Sequence, residues 1–256
     1  MKAIQEIKKE LEQAGEDQWE SLCLQYETDS RAGVRKLVEQ YRRKAEALQK
    51  ERERTEAMKV YEREYEHLGY VCGIDEVGRG PLAGPVVACA VILPGDCSLL
   101  YINDSKKLTE KKRESLCREI LQEAIGVGIG CVPPERIDEI NILQATYEAM
   151  REAISRLPVR PQILLNDAVT IPEVEIPQVP IIKGDAKSIS IAAASIVAKV
   201  TRDHMMVEYD KVYPGYDFAS NKGYGSAAHL AALREKGPTP IHRRSFIHGI
   251  CPEESR

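Results

Sequence analysis

This chain of 256 residues lacks the features that mark several large classes of protein. It has no apolar run near the ~18 residues that a membrane-spanning helix needs, and its first residues do not form the apolar stretch of a secretory signal. Its seven cysteines stand singly, without a Cys-x-x-Cys pair, and their odd number argues against a disulfide framework. We therefore expect a cytoplasmic, monomeric protein with reduced thiols, no zinc site and no membrane contact.

An overall excess of positive charge is also missing, since the formal net charge is −4. The local distribution matters more than this sum. Five basic residues and one acid lie between Lys106 and Arg113, and four basic residues and one acid lie between Lys183 and Arg202. These two segments keep nucleic acid among the expected partners.

No proline occurs before Pro81, and residues 1–69 differ in kind from the rest of the chain. They carry 14 Lys/Arg and 16 Asp/Glu, and apolar side chains from Val34 to Leu48 recur at helical spacing. This pattern predicts a charged, helical N-terminal extension, a helical pair or long hairpin, ahead of a domain over residues 70–256. The extension is either a packing or solubility appendage or an arm that contacts substrate or a protein partner.

From Tyr70 onwards, short apolar runs alternate with helical segments. Strands are predicted over 71–74, 85–93, 125–132, 162–166 and 178–182, and helices over 109–123, 135–157, 188–213 and 227–236. Asn141 is a predicted break within its helix, and Gly237-Pro238 is the expected stop of the last helix. Two early strands followed by alternating helices and strands indicate an α/β domain that ends in a helical segment.

Acidic residues follow three of these strands. Asp75 and Glu76 close the first strand, Asp167 ends another, and Asp185 comes just past a third. Ligands in α/β sheets gather at strand ends, so converging ends would place four carboxylates in one site. Taken singly, Asp167 could start a turn and Asp185 could cap the next helix.

Such an acid cluster has a defined chemistry. Two like charges ~4 Å apart cost ~4 kcal/mol at an effective dielectric of ~20, so the cluster requires protons or cations. Ligation by oxygen alone favours Mg²⁺ or Mn²⁺ over zinc. The segment Gly78-Arg79-Gly80 follows the first acid pair, and it combines backbone that a ligand can approach closely with a rigid fork of donors. The sequence therefore indicates a metal site beside a phosphate or sugar.

Six blocks of the sequence carry a resemblance to a known family. They are Gly73-Ile-Asp-Glu-Val-Gly-Arg-Gly-Pro-Leu-Ala-Gly-Pro85, Asp104-Ser-Lys-Lys-Leu108, Lys183-Gly-Asp-Ala-Lys187, Ala193-Ala-Ser-Ile-Val-Ala-Lys-Val-Thr-Arg-Asp203, Asn221-Lys-Gly-Tyr-Gly225 and His242-Arg-Arg-Ser-Phe246. In this order they resemble bacterial ribonuclease HII over about residues 70 to 250. The resemblance implies an RNase H-like fold, with a mixed central sheet flanked by helices.

The resemblance also implies an activity and the residues that perform it. The activity is a two-metal-ion endonuclease that cuts the RNA strand of RNA/DNA hybrids and incises 5′ of single ribonucleotides in duplex DNA, leaving 5′-phosphate and 3′-hydroxyl ends. The matching positions are Asp75, Glu76, Asp167 and Asp185 as metal-binding and catalytic acids, Gly78, Arg79 and Gly80 as the ribonucleotide-reading loop, and Tyr224 as the tyrosine that stacks on the sugar beside the cut. Asn166 stands where the family usually has an apolar residue.

Phosphate contacts supply most of the affinity for nucleic acid. Candidates in this chain are Lys106, Lys107, Lys187, Lys199 and Arg202, although each is equally compatible with an ordinary solvated charge. His229 and His242 are weaker signals: His229 is compatible with assisting product release or contacting phosphate, and His242 is equally compatible with a structural role.

Three other classes of protein share some of these features. A phosphate-loop NTPase is rejected because the Gly-Lys-Ser/Thr ending is absent and Pro81 interrupts the helix that should follow. Ribonuclease HIII differs at the glycine loop and in its N-terminal domain. A binding or scaffold protein without activity would leave the acids at the strand ends unexplained.

Overall fold

The computed structural model describes residues 2–250, and the chain divides into two compact units, of which one ends at Ala57 and the other begins at Met58. Six cysteines lie in the described residues and all are free thiols, while Cys251 lies outside them. Within residues 2–250, no helix combines the length and apolar character needed to span a bilayer. The predicted domain boundary at residue 69 follows composition and stays a prediction.

The first unit is helical, as predicted, but it contains three α-helices where a helical pair or long hairpin was expected: α1 (Ile4–Gln13), α2 (Trp19–Gln25) and α3 (Ala32–Ala57). Their apolar faces meet in a small core around Leu11, Cys23 and Val38. Trp19 packs edge-on against Tyr41, with ring centroids 5.6 Å apart. The charged residues of α3 lie on the faces that this core leaves exposed, which explains why the segment is both highly charged and folded.

The second unit is built on a five-stranded mixed sheet in the order β3-β2-β1-β4-β5. The strands are β1 (Val71–Val77), β2 (Val86–Ile92), β3 (Gly126–Val132), β4 (Ile163–Asp167) and β5 (Gln178–Ile181). The first three strands pair antiparallel, while β4 and β5 run parallel to β1. The predicted mixed sheet is therefore confirmed.

Helices cover both faces of this sheet. They are α4 (Val60–Tyr65), α5 (Glu110–Glu123), α6 (Pro134–Ser155), α7 (Ile189–Val212), α8 (Phe218–Asn221) and α9 (Ala227–Lys236). α6 packs on one face and α7 on the other. Gly73 lets α7 approach β1, because a Cβ at this residue would lie 2.1 Å from the carbonyl carbon of Ser190.

In the second unit, the predicted elements agree with the structure except at two places. β1 continues to Val77 because it pairs with β2 as far as Val77 and Val87, so Asp75 and Glu76 lie inside the strand rather than closing it. The four-residue α8 was not predicted, being too short to show a period. The predicted break at Asn141 is confirmed by its φ of 67° inside α6.

Candidate active site

Asp75 and Asp167 are brought together by the pairing of β1 with β4. Ile74 lies opposite Asn166, so the next step along the parallel register places Asp75 beside Asp167 on strands ~4.8 Å apart. Asp185 lies four residues beyond the last residue of β5, Ile181, at the same edge of the sheet. Asp75, Asp167 and Asp185 therefore lie at one edge of three adjacent parallel strands, which is where ligands of α/β sheets gather.

Asp75 is a buried carboxylate that faces α7. Its Oδ1 accepts a hydrogen bond from the backbone N of Glu76 at 2.8 Å, and the carboxylate also accepts from the Ser195 hydroxyl of α7. Burial, followed by the charges of Glu76 and Asp167, raises the pKa of Asp75 well above its usual range. The carboxylate thus sits where its negative charge is unfavourable unless a proton or cation compensates it.

Glu76 points toward the glycine loop. Its Oε1 lies 3.3 Å from the guanidinium of Arg79. Burial raises the pKa of Glu76, Arg79 opposes that rise, and the charge of Asp167 adds to it. Glu76 therefore links the carboxylate group of the sheet to the loop that follows β1.

Asp167 holds the turn after β5 that carries Asp185. Asp167 Oδ1 accepts from the backbone N of Gly184 at 2.8 Å, which holds this turn against the end of β4. Burial raises the pKa of Asp185, and the charges of Asp104 and Asp167 raise it further. Asp104 thus belongs to the same acidic region, although it was not predicted as a site residue.

The donor set of this region fits a divalent cation, because every candidate ligand is a carboxylate oxygen and the neighbouring negative charges raise the pKa values of Asp75, Glu76 and Asp185. As placed, no three His, Cys, Asp or Glu side chains of residues 2–250 converge on one point that could hold a metal ion. The carboxylates instead engage local donors, namely Ser195, Arg79 and the backbone N of Gly184. The backbone already brings these acids together. To bind a metal ion, their side chains would have to rotate so that the carboxylates converge.

The loop after β1 has a backbone that only glycine adopts easily. Gly78 has a φ of +90°, and a Cβ there would lie 2.3 Å from Nε of Arg202. Arg79 is exposed. A Cβ on Gly80 would lie 3.8 Å from Cε1 of Tyr224, whose side chain is 43% exposed. The structure thus brings the predicted loop and the predicted tyrosine side by side next to Glu76.

Two fully buried arginines hold this loop through hydrogen bonds to its backbone carbonyls. Arg243 donates from Nη1 to the carbonyl of Arg79 at 2.9 Å and from Nε to the carbonyl of Gly84 at 3.0 Å. Arg202 donates from Nε to the carbonyl of Pro85 at 2.9 Å and from Nη2 to that of Ala83 at 3.0 Å. The prediction of Arg202 as a phosphate contact is corrected, because its guanidinium is buried and its donors are used by the backbone.

The predicted lysines divide into two groups. Lys106, Lys107 and Lys187 are exposed, and the first two lie near enough to Asp185 to lower its pKa. Lys199 is largely buried, and its Nζ lies 2.7 Å from Oδ1 of Asp203. Its ion pair with Asp203 makes Lys199 a poor match to the predicted phosphate contact.

His229 and His242 are buried and hydrogen-bonded to each other, with Nε2 atoms 2.9 Å apart. The structure therefore favours a structural role for both histidines over contact with phosphate. Sequence reasoning also missed Arg243, Ser195 and Ser105, whose hydroxyl lies 3.0 Å from that of Ser195. All three lie within blocks of the family resemblance, but a serine or arginine carries no sign of its burial in the sequence.

Comparison with known proteins is consistent with this site. The sequence model of the family described as Ribonuclease HII matches residues 72–249, and that of the Ribonuclease HII N-terminal domain matches residues 3–66. A curated Ribonuclease HII from Lachnoclostridium phytofermentans is 66% identical over 247 residues, covering 96% of this chain and 97% of that protein.

Two solved archaeal structures share the fold. The ribonuclease H2 of Pyrococcus horikoshii is 28% identical with a TM-score of 0.59, covering 71% of this chain and 96% of that one. The RNase HII of Archaeoglobus fulgidus, solved in complex with PCNA, is 29% identical with a TM-score of 0.58, covering 70% of this chain and 94% of that one. The catalytic fold is thus shared with relatives of low sequence identity.

Proposed function

The chain belongs to the ribonuclease HII family, and from that premise we propose that it incises duplex DNA on the 5′ side of single ribonucleotides as well as cutting the RNA strand of RNA/DNA hybrids. The observation that carries the proposal is the position of the Gly78–Gly80 loop and the Tyr224 ring, which lie together beside the acids of β1. This arrangement combines a means of reading a sugar with a means of cleaving the adjacent phosphodiester.

Recognition of RNA against DNA depends on the 2′-hydroxyl. The exposed Gly80 leaves backbone that a sugar can approach, Gly78 supplies the turn that presents it, and the exposed ring of Tyr224 can lie against the next sugar. A site built to hydrogen-bond a hydroxyl can reject the analogue that lacks it by ~10⁴–10⁵. The loop therefore supplies the discrimination and the tyrosine supplies the fit beside the cut.

Cleavage is assigned to the acids. Nucleases of this family depend on divalent metal, and in the proposal Asp75, Glu76, Asp167 and Asp185 hold it. A pair of Mg²⁺ or Mn²⁺ ions, when bound, supplies Lewis-acid chemistry at the scissile phosphate. Water adds to phosphorus, the bond to the 3′ oxygen breaks, and the products carry 5′-phosphate and 3′-hydroxyl ends. Ser195 and the backbone N of Glu76 orient Asp75 for this task.

Exposed basic residues contribute the salt-dependent part of substrate affinity. Lys106, Lys107 and Lys187 lie on the segments next to Asp185 and are placed to contact phosphates. Lys199 and Arg202 are not placed to contact phosphate, because Lys199 forms an ion pair with Asp203 and Arg202 donates to backbone carbonyls. The helical residues 1–57 remain either a packing appendage or an arm toward substrate or a protein partner, and a cytoplasmic monomer remains the proposed state.

The test uses three duplexes of one sequence: all DNA, DNA with one ribonucleotide, and a hybrid with a continuous RNA strand. Each is incubated with the full chain in Mg²⁺, in Mn²⁺ and in chelator. The proposal predicts metal-dependent incision 5′ of the single ribonucleotide and no cutting of the all-DNA duplex. Cleavage of the hybrid alone would overturn the single-ribonucleotide activity, and cleavage of none would overturn the proposal.

A further inference from the structure

We propose that the buried pair His229 and His242 sets the position of Tyr224, so that both histidines are positioning residues for the recognition of the sugar beside the cut. The inference rests on the role proposed above for the Tyr224 ring. It is carried by an unbroken series of hydrogen bonds that begins at the backbone of Thr239 and ends at the backbone of Tyr224.

The direction of each hydrogen bond in this series follows from the atoms themselves. The backbone N–H of Thr239 lies 2.9 Å from Nδ1 of His242 and can only donate, so Nδ1 accepts. At the other end, Nδ1 of His229 lies 2.8 Å from the carbonyl oxygen of Tyr224, which can only accept. The proton of neutral His242 is therefore on Nε2, and that of neutral His229 is on Nδ1.

The contact between the two rings agrees with these tautomers. Nε2 of His242 carries a proton and Nε2 of His229 does not, so the 2.9 Å contact is a normal hydrogen bond. A proton added to His242 would oppose the N–H of Thr239, and one added to His229 would oppose His242. Burial lowers the pKa of both histidines, that of His242 to about 4 with a further contribution from the charge of His229. Both rings are neutral in this arrangement.

Neither histidine is placed to act on substrate directly. The side chains are almost fully buried and are enclosed by aromatic rings: Phe218 lies 5.2 Å from His229 and Tyr216 lies 5.3 Å from His242, centroid to centroid. The Tyr216 hydroxyl is itself engaged, donating to the carbonyl of Gly237 at 2.7 Å. The side chains of the pair can therefore affect the reaction only indirectly, and the hydrogen bond from His229 to the carbonyl of Tyr224 provides a route.

Tyr224 requires such support because its ring is exposed while its neighbours, Gly223 and Gly225, do not restrict the backbone. Its carbonyl oxygen accepts from His229 and also from the backbone N of Ser226 at 2.8 Å. The carbonyl of Gly223 accepts from the backbone N of Leu82 at 2.8 Å, which joins this segment to the loop below Gly80. The histidine pair therefore fixes the side of the tyrosine backbone that the loop does not hold.

The kinetic test is a double-mutant cycle on the single-ribonucleotide duplex. His229→Leu removes the donor to Tyr224, and His229→Asn keeps a donor near the position of Nδ1. We expect His229→Leu to lower kcat/KM about 10-fold, as for one lost internal hydrogen bond, and His229→Asn to stay within about 3-fold of wild type. In a Tyr224→Ala background, His229→Leu should cost nothing further. An equal loss in both backgrounds would overturn the proposal, because the histidine would then act independently of the tyrosine.

A second variant covers the case in which His229→Leu does not fold. His242→Asn keeps an acceptor for the N–H of Thr239 and breaks only the contact between the rings. It should lower kcat/KM, and again only when Tyr224 is present. Nitrogen NMR of the wild-type histidines provides a test that needs no activity: the expected forms are protonated at Nδ1 for His229 and at Nε2 for His242 at pH 7. A charged ring or the opposite tautomer at either histidine would overturn the proposed series of hydrogen bonds from Thr239 to Tyr224.

The two proposals fail in different ways. Absence of incision by the wild-type enzyme would refute the proposed substrate, while the tautomers seen by NMR would still test the hydrogen bonds of the histidine pair. Normal incision by wild type, with additive losses of kcat/KM from His229→Leu and Tyr224→Ala, would refute the positioning role of the histidines and leave the substrate assignment intact.

Discussion

Arg243 donates two hydrogen bonds to the carbonyl oxygen of Gly84, from Nε at 3.0 Å and from Nη2 at 2.8 Å, although the two residues are 159 positions apart. The same guanidinium also donates to the carbonyls of Gly78 and Arg79. One buried side chain near the C-terminus thus fixes both ends of the loop that follows β1. A planar fork of donors does this in a way that a lysine ammonium cannot.

Arg243→Lys should therefore disorder the loop and destabilise the domain. We expect a loss of about 2–4 kcal/mol in the free energy of unfolding, because several buried carbonyls lose their donors. Cleavage at single ribonucleotides should fall at least 10-fold at temperatures where the variant is folded. Urea unfolding and initial rates measure the two effects. The exposed neighbour provides the control: Arg244→Lys should change neither, and an equal effect of both substitutions would contradict the role of Arg243.

Asp75→Asn should abolish cleavage without loss of stability. In chelator, the variant should unfold at a higher temperature than wild type, because the carboxylate is buried beside other acids and its negative charge is unfavourable there. Each 1 kcal/mol should appear as about 2–4 °C in Tm. Thermal unfolding in chelator and in Mn²⁺ measures this. Mn²⁺ should raise the Tm of wild type but not that of the variant.

The exposed turn acid Asp96 is the matched control for this experiment. Asp96→Asn should keep the wild-type rate and the wild-type response to Mn²⁺. Retained turnover in Asp75→Asn would remove Asp75 from the catalytic acids.

The raised pKa values of Asp75, Glu76 and Asp185 predict opposite effects of pH on metal binding and on the stability of the metal-free protein. Mn²⁺ requires ionised carboxylates, so its affinity should fall as pH falls through the folded-state pKa values. The folded state then binds more protons than the unfolded state, so these acids should add to the free energy of unfolding as pH falls toward their unfolded pKa, near 4.

Calorimetric titration with Mn²⁺ between pH 8 and pH 5 measures the first effect. The second is the difference between wild type and Asp75→Asn in urea unfolding with chelator, which removes the contribution of other groups. That difference, with the variant more stable at pH 8, should shrink as pH falls. A difference that grows with acid would show that the pKa of Asp75 is lowered rather than raised.

Glu62 of α4 should stabilise the N-terminus of α7, the helix that carries Ser195. Its Oε1 accepts from the backbone N of Ser190 at 3.0 Å and from the hydroxyls of Ser188 and Ser190. An ionised carboxylate at a helix N-terminus is favourable, so Glu62→Gln should cost about 1–2 kcal/mol. Urea unfolding measures this, with Glu66→Gln as a control from the same segment. An unchanged midpoint for Glu62→Gln would contradict the capping role.

Much of the fold could be predicted because its signals are local. Apolar runs identified all five strands, and Asn141 identified the break in α6. The family blocks identified the loop and Tyr224 as candidates, and the structure brings them together. The burial of Lys199 and Arg202 could not be predicted, because the local sequence around a cationic side chain does not show whether it faces solvent or a buried polar group.

Local sequence patterns specify the strands, the acids that lie in or just after them and the glycine loop, because hydrophobic period and backbone preference act over a few neighbouring residues. Which strands adjoin, and hence that Asp75 lies beside Asp167, is set by tertiary packing. It also makes Arg202, Arg243, His229 and His242 buried supports. The carbonyls that accept from Arg202 and Arg243 include several more than a hundred positions away, and the histidines are buried among rings that the fold brings together, so no local pattern shows their burial.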